Sequence, residues 1–397
     1  MKSIPNGTIT SPKGFVAGAT RAGLKTKGGL DLGMLYSEAP CVAAGLFTTN
    51  RIKAAPVLWC HKHIADGRAQ AIVVNSGCAN ACTGESGLED AAAMANLAAE
   101  RLGIAPQEVL VASTGVIGER LDIGLIGANM EKVSFSQEGG HELAQAILTT
   151  DTYAKEMAMA AEGSEFIIGG IAKGAGMIHP NLATLLCFLA SDATIDARFL
   201  QRALREAVDL SFNMITIDGE TSPNDTVLVL ANGVAGTKKI EEGTSGAEAF
   251  REALTQVCIY LARCIAGDGE GATRLIQVTV EGALTFADAR VAARTVAGSP
   301  LVKAAVHGCD PNWGRIVAAL GRSGAEVDGS KVDLFLNNIC LMAGGSPHPF
   351  DRDDVRNAMM GNEVPIRVCL NLGDSAATAW GCDLSAEYVA INSEYTT

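Results

Sequence analysis

The feature that most constrains the fold of this 397-residue chain is a Gly-rich stretch that runs directly into an apolar segment. It extends from Ile168 to Ala193 and reads IGGIAKGAGMIHPNLATLLCFLASDA. The glycines predict a flexible segment that ends at Asn181-Leu182, whereas the run from Leu185 to Ala190 is long enough for one buried strand. We therefore predict a flexible loop that carries Lys173 and leads into a core strand.

The junction between these two parts contains a threonine that backbone cleavage would expose. Ala183 and Thr184 stand immediately before the apolar run. A small residue before a threonine, followed by a rigid strand, suits a backbone that is cut and a hydroxyl that is then held still. A threonine at a new N-terminus carries its nucleophile and an amine base in one residue. A plain Gly-rich loop that enters a core strand fits the same pattern, so the residues alone leave both interpretations open.

Composition and charge indicate an ordinary soluble globular protein. Apolar residues make up 48% and charged residues 19%, and the chain is long enough for two domains or one large one. The net charge is 31 − 44 = −13, which argues against a nucleic-acid or anionic-membrane partner. No apolar run approaches the roughly 20 residues that span a bilayer.

The cysteines predict a reduced, cytoplasmic protein without a metal site. The eleven cysteines follow no repeating frame, and the first residues do not form a secretory signal. Cys78 and Cys82, with His61 and His63 upstream, hint at a metal. Their spacing is not a zinc frame and no second cysteine pair follows, so we interpret these cysteines as packed thiols.

Hydrophobic periodicity predicts alternating helices and strands, which is compatible with an α/β fold. Helices are predicted at 87–102, 141–148, 196–212 and 246–266. Strands are predicted at 109–118, 226–230, 275–280, 332–336 and 365–372, and a last strand with a polar tip at 386–397.

One strand end has side chains suited to acyl-transfer chemistry. The strand that begins at Val109 ends in Ser113-Thr114-Gly115. A threonine hydroxyl and a glycine amide at a strand end can both donate to a developing oxyanion. By itself this motif is a weak signal, because Ser-Thr-Gly is usually just a turn.

The segment from Lys173 to Leu186, KGAGMIHPNLATLL, resembles the self-cleavage segment of the ornithine acetyltransferases. These arginine-biosynthesis enzymes are also called bifunctional glutamate N-acetyltransferases. Further blocks similar to the family are spread along the chain, at Phe47–Pro56, Val73–Gly84, Gly267–Arg274 and His307–Arg315.

The resemblance implies a layered αββα fold similar to that of the N-terminal-nucleophile enzymes. It also implies self-cleavage between Ala183 and Thr184. The products would be an α chain, residues 1–183, and a β chain, residues 184–397, which stay intertwined. The family assembles as two of each, so a heterotetramer is expected.

The resemblance further implies a reaction and its catalytic groups. Thr184 would carry the acetyl group from N2-acetylornithine to glutamate, while Thr114 and Gly115 form the oxyanion hole. No metal or bound cofactor is expected. Some family members also accept acetyl-CoA as a donor, and the sequence leaves its use as a co-substrate open.

Substrate contacts are implied at residues in matching blocks. These are Thr149, Lys173, Glu270, which would hold an ammonium group, and Asn392 and Thr397 near the C-terminus. Thr150 stands beside Thr149 and remains an alternative to it.

Two other functions are compatible with parts of this sequence. A phosphate-binding loop at Gly169–Gly176 is disfavoured because Lys173 precedes the glycines and no Gly-Lys-Ser/Thr opens a helix. A self-cleaving N-terminal-nucleophile aminopeptidase or amidohydrolase is the closer alternative, since it would share the nucleophile and transfer the acyl group to water.

Overall fold

The structure, a computed structural model, describes residues 2–160, 166–179 and 185–394, which form two β-sheets and their covering helices. The strands are β1 (Lys2–Ser3), β2 (Phe15–Thr20), β3 (Leu32–Phe47), β4 (Arg68–Cys78), β5 (Val109–Val116), β6 (Lys155–Ala160), β7 (Ile167–Lys173), β8 (Leu186–Ser191), β9 (Ile215–Thr216), β10 (Thr226–Ala231), β11 (Leu275–Ala283), β12 (Asp333–Leu336), β13 (Ile339–Ala343), β14 (Ser346–Pro347), β15 (Glu363–Cys369) and β16 (Ser375–Cys382). The helices are α1 (Ala55–His63), α2 (Gly84–Leu102), α3 (Ile123–Met130), α4 (Gly139–Ala146), α5 (Ala197–Asp209), α6 (Ser245–Gly267), α7 (Phe286–Ala297), α8 (Pro300–His307), α9 (Trp313–Gly321), α10 (Arg352–Ala358) and α11 (Ala386–Glu394).

The first sheet is mixed and has the strand order β1-β6-β7-β8-β10-β3-β4-β5, with β2 paired to β3. Strand β8 runs parallel to β10, and β4 runs parallel to β5. Every residue of β8 and β10 is buried. Strands covered on both faces read as continuous apolar runs, which is why the sequence marks this sheet centre clearly.

The second sheet has the order β14-β13-β12-β15-β11-β16-β9. Its β11 and β15 are parallel neighbours, and in both strands fully buried residues alternate with partly exposed ones. This period of two places Ile276, Val278 and Val280 on the buried face.

Helices α5 and α6 pack against each other, and α6 also contacts β6 and β7 of the first sheet and β11 and β16 of the second. The largest hydrophobic core joins side chains of both sheets to these helices, for example Leu189, Phe250 and Val278. Asp196 caps α5, because its carboxylate accepts from the backbone N–H groups of Arg198 and Phe199. The predicted α/β class with two sheets is confirmed.

The first part of the Gly-rich segment, Ile168–Lys173, lies in strand β7, so the predicted flexible segment is wrong there. The glycines in β7 serve close packing. A Cβ added to Gly169 would lie 2.2 Å from the Thr8 carbonyl oxygen, and one on Gly170 would lie 2.6 Å from Leu189 Cδ2. Glycine in a strand often marks such a close approach.

The predicted C-terminal strand is also wrong, because Ala386–Glu394 form helix α11. Ser385 stands directly before the helix, and its Oγ accepts from the backbone N–H of Tyr388 at 3.4 Å, as an N-cap side chain does. Val389, expected to anchor a strand, is 63% exposed.

Ala183, Thr184 and Thr397, and with them the predicted cleavage bond, lie outside the described residues. Within the described ranges, no helix is long and apolar enough to cross a membrane. In the same ranges, no cluster of three or more His, Cys, Asp or Glu side chains is arranged to hold a metal ion.

Candidate active site

A pocket of about 130 Å³ brings together all the predicted site residues that the structure describes. They come from the end of β5, the turn after α4, the end of β7, the loop after α6, and α11. The predicted residues in its lining are Thr114, Gly115, Thr149, Lys173, Glu270 and Asn392. Thr150 lines it too, so the choice between Thr149 and Thr150 stays open. Leu185, which follows Thr184 in the chain, is also part of the wall.

The backbone at Gly115 requires glycine. Its φ is +129°, and a Cβ there would lie 2.3 Å from the carbonyl carbon of Gly77 on the neighbouring strand β4. The register between β4 and β5 shifts at this point. This close approach fixes the end of β5, so that Thr114 and Gly115 border the pocket together.

Lys173 connects the end of β7 to Thr114. Its ammonium is buried and donates to the Thr114 hydroxyl oxygen at 3.2 Å. Because the lysine occupies a lone pair of that oxygen, the hydroxyl hydrogen of Thr114 can be donated to another acceptor. Burial lowers the pKa of Lys173, and the charge of Asp151 opposes that shift.

A buried ionic network lies behind this lysine. The side chains of Asp151 and Lys155 are completely buried, and the Lys155 ammonium donates to Asp151 at 2.7 Å and to Asp268 at 2.6 Å. Asp151 also accepts from the backbone N–H of Gly174 at 2.6 Å and from that of Thr149 at 3.2 Å. One carboxylate therefore ties the turn after α4 to the end of β7.

The network keeps Asp151 ionised. Burial by itself raises the pKa of this carboxyl, but the charges of Lys173 and Lys155 and the hydrogen bonds outweigh burial, and the net pKa is lowered. Sequence reasoning assigned no role to Asp151, Lys155 or Asp268. The available signal was that both aspartates stand in blocks of small and hydroxyl residues that resemble the family.

Glu270 is held at the pocket edge by two elements. Its backbone N–H donates to the Ala175 carbonyl at 2.8 Å, and its carboxylate accepts from the Asn392 amide at 2.8 Å. Asn392 also donates to the Tyr388 carbonyl one helical turn earlier, at 2.9 Å. A Cβ on Gly176 would lie 2.6 Å from the carboxylate, so glycine at this position leaves room for the carboxylate where it stands. This arrangement presents a fixed carboxylate that can bind an ammonium group.

Asn224 is a further pocket residue that sequence reasoning did not single out. Its side-chain amide is buried and donates to the Ala79 carbonyl at 2.6 Å and to the Ser113 carbonyl at 2.9 Å. It thereby joins the start of β10 to the end of β5. A Pro-Asn-Asp turn before an apolar strand was the only signal for it.

Comparison with known proteins decides the family. The model of the ArgJ family matches residues 16–397. The chain belongs to the ArgJ family. This confirms the relationship predicted from the segment around Thr184.

Curated ArgJ-family relatives match along nearly the whole chain. The arginine biosynthesis bifunctional protein ArgJ of Dehalococcoides mccartyi is 54% identical over 398 residues, which cover 99% of this chain and 98% of that protein. The protein of the same name from Symbiobacterium thermophilum is 52% identical over 397 residues and covers 98% of this chain and 99% of its own.

A solved ArgJ structure is similar to part of the chain. It is the arginine biosynthesis bifunctional protein ArgJ of Bacillus halodurans, at 41% identity with a TM-score of 0.51. The match covers 51% of this chain and 96% of that chain. The roles of the individual site residues remain predictions.

Proposed function

We propose that this ArgJ-family chain is a glutamate N-acetyltransferase of arginine biosynthesis, which moves the acetyl group of N2-acetylornithine to glutamate. The observation that carries the proposal is that Thr114, Gly115, Lys173 and Glu270 line one pocket. Leu185, the residue after Thr184 in the chain, lines the same pocket. Membership of the ArgJ family favours this acetyltransferase over the aminopeptidase alternative.

In the first half-reaction the Thr184 hydroxyl attacks the acetyl carbonyl of N2-acetylornithine. The α-amine of Thr184 takes the hydroxyl proton and passes it to the departing nitrogen when the C–N bond breaks. The Thr114 hydroxyl and the Gly115 N–H donate to the oxyanion. Because the Lys173 ammonium donates to the Thr114 hydroxyl oxygen, the hydroxyl hydrogen of Thr114 is free to be donated to the oxyanion.

In the second half-reaction the amine of glutamate attacks the acetyl-Thr184 ester. The same donors hold the second oxyanion, the ester C–O bond breaks, and Thr184 recovers its proton from the attacking nitrogen. A desolvated α-amine beside the positive charge of Lys173 would have a lowered pKa, which would help it to act as a base near neutral pH. Glu270, fixed by Asn392, binds the side-chain ammonium of ornithine.

The proposal includes maturation and assembly. Self-cleavage between Ala183 and Thr184 gives an α chain and a β chain, and two copies of each form a heterotetramer in the cytoplasm. The acetyl-Thr184 chemistry needs no bound cofactor. Thr397 contributes to the substrate site together with Asn392.

Cleavage and activity test the proposal together. Purified protein should give two bands on a denaturing gel, and N-terminal sequencing of one should begin Thr-Leu-Leu-Cys. Thr184→Ala should give one intact chain without acetyl transfer. Active wild-type protein with a single full-length band would contradict the proposed nucleophile. Acetate release from acetylornithine that does not depend on glutamate would instead favour the hydrolase.

A further inference from the structure

Asn224 connects the two strand ends that border the active-site pocket. The residue is buried and lines the pocket. Its side-chain amide donates to the carbonyl oxygen of Ala79, just after β4, at 2.6 Å and to that of Ser113, in β5, at 2.9 Å. Carbonyl oxygens only accept hydrogen bonds, so the NH2 group faces them and both of its hydrogens are used. We call this pair of contacts the Asn224 bridge.

The bridge lies where the pairing of β4 with β5 becomes irregular. Thr114 and Val116 both pair with Cys78, and the register shifts at this point. Gly115, between them, has a φ of +129°. Among the described strands β5 is also the last in the order of its sheet, so its strand pairing comes from β4 alone. An irregularity of this kind re-aims side chains, and the bridge fixes the backbone just before it.

The turn that carries Asn224 is itself anchored. At the end of β3, the Thr48 hydroxyl donates to the Ser222 carbonyl at 2.7 Å, and the Thr48 N–H donates to the Asp225 carbonyl at 3.0 Å. The N–H of Ala54 donates to the carbonyl of the residue directly before Asn224, also at 3.0 Å. These hydrogen bonds hold the turn on both sides of Asn224. The bridge therefore starts from a fixed support.

The bridge reaches Thr114 through one peptide group. The Ser113 carbonyl and the Thr114 N–H belong to the same planar unit, so an anchored carbonyl constrains how the backbone enters Thr114. This constraint sets the direction of the Thr114 side chain. Lys173 holds the same side chain at its other end, by donating to the hydroxyl oxygen at 3.2 Å. Neither contact uses the hydroxyl hydrogen of Thr114.

We propose that Asn224 is a positioning residue for the oxyanion hole and acts by holding the Thr114 hydroxyl in place. This inference rests on the proposed acetyltransferase function, in which Thr114 and Gly115 donate to the oxyanion. Such donors stabilise a transition state because they are oriented before the charge develops. Losing the bridge therefore weakens binding of the transition state more than binding of the substrate.

Variants of Asn224 should separate turnover from KM. Asn224→Ala should lower kcat by about tenfold to a hundredfold, because a misplacement of about 1 Å can cost about a hundredfold. The KM for acetylornithine should change by less than about threefold, as expected when an interaction made in the transition state is lost. Asn224→Asp keeps the shape of the side chain, but its carboxylate cannot donate to the two carbonyls, so it should lose at least as much.

Asn129→Ala is the matched control. The Asn129 amide is also buried and also donates to two carbonyls, those of Leu125 at 2.8 Å and Ala22 at 3.4 Å. Asn129 does not line the active-site pocket, so this variant should keep the wild-type kcat. Self-cleavage also passes through an oxyanion, and turnover is therefore counted per cleaved chain, measured on a denaturing gel.

Combination with Thr114→Ala tests whether the effect passes through that hydroxyl. Groups that act as a unit are not additive, so Asn224→Ala should lower kcat by less than about threefold further in the Thr114→Ala background. Full multiplication of the two losses would overturn the inference. So would wild-type turnover in Asn224→Asp. A raised KM with unchanged kcat would also overturn it and indicate direct contact of Asn224 with substrate.

A milder variant keeps the inference testable if Asn224→Ala does not fold, as judged by thermal unfolding. Asn224→Ser retains one hydroxyl donor and should show a smaller loss of kcat with the same unchanged KM. Wild-type kcat in Asn224→Ser would then overturn the inference. A wild type that moves no acetyl group from acetylornithine to glutamate would overturn the proposed function. An active wild type with unaffected Asn224 variants would overturn the positioning role alone.

Discussion

Replacing Asp151 by asparagine should destabilise the protein through its buried ionic network. The side chains of Asp151 and Lys155 are fully buried, and Asp268 and Lys173 complete the group. In the wild type these charges cancel, two lysines against two aspartates. Asp151→Asn has nearly the same shape but leaves one positive charge without compensation.

The expected loss is about 3 kcal/mol. Removing one partner of a buried ion pair costs about 3–5 kcal/mol, and the low end applies because the asparagine oxygen can still accept one hydrogen bond. The entropy of unfolding is about 2.1 cal/mol/K per residue, or about 0.8 kcal/mol/K for the 397 residues. The midpoint of thermal unfolding should therefore fall by about 4 °C.

The midpoint of thermal unfolding is best measured in a protein that does not cleave itself, because two separate chains would complicate the unfolding transition. Scanning calorimetry of Thr184→Ala should be compared with Thr184→Ala/Asp151→Asn, with Asp374→Asn as an exposed control. Because the folded-state pKa of Asp151 is lowered, its contribution is fully present above about pH 4 and is lost as the pH falls through the folded value. The difference between the two proteins should therefore shrink in acid. A midpoint at pH 7 that moves no more than that of the exposed control would refute the network as a stabilising ion pair.

Three further predictions concern the active site. Thr114→Ala should lower turnover by about 10²–10³ with a smaller change in KM, and an unchanged turnover number would remove Thr114 from the oxyanion hole. Gly176→Ala should raise the KM for acetylornithine, because its Cβ would displace the Glu270 carboxylate; Gly321→Ala, where a Cβ meets open space, is the control. Deleting residues 393–397 should raise the same KM while self-cleavage still occurs, and wild-type kinetics of the truncated enzyme would count against a C-terminal part of the site.

The fold is predictable where one residue pattern has one physical explanation. The continuous apolar runs of β8 and β10 are too short for a typical helix and predict buried strands, and the structure buries every residue of both. The 3.6-residue periodicity of α5 likewise predicted a helix with one buried face. The glycines of β7 were ambiguous, because glycine serves both flexible turns and tightly packed strands, and only the neighbouring Thr8 and Leu189 decide between them.

The ionic network could not be predicted from sequence because Asp268 lies far along the chain from Asp151 and Lys155. Lys155 and Asp268 are separated by 113 positions, and each taken alone reads as a solvated surface charge. Whether a charge is buried depends on which elements meet around it, and that is a property of the tertiary structure. The same holds for Asn224, whose side-chain amide donates hydrogen bonds to two carbonyl oxygens from distant segments.

The C-terminus shows that a residue can be placed correctly while its element is predicted wrongly. Asn392 was expected on a strand, yet it lines the pocket from helix α11. The helix explains the contact better than a strand would. Residues four apart lie on one face, so the Asn392 amide can reach both the Tyr388 carbonyl and the Glu270 carboxylate. That amide therefore fixes Glu270 only while the last turns of α11 are folded, which makes the geometry of the proposed ammonium site depend on the C-terminal helix.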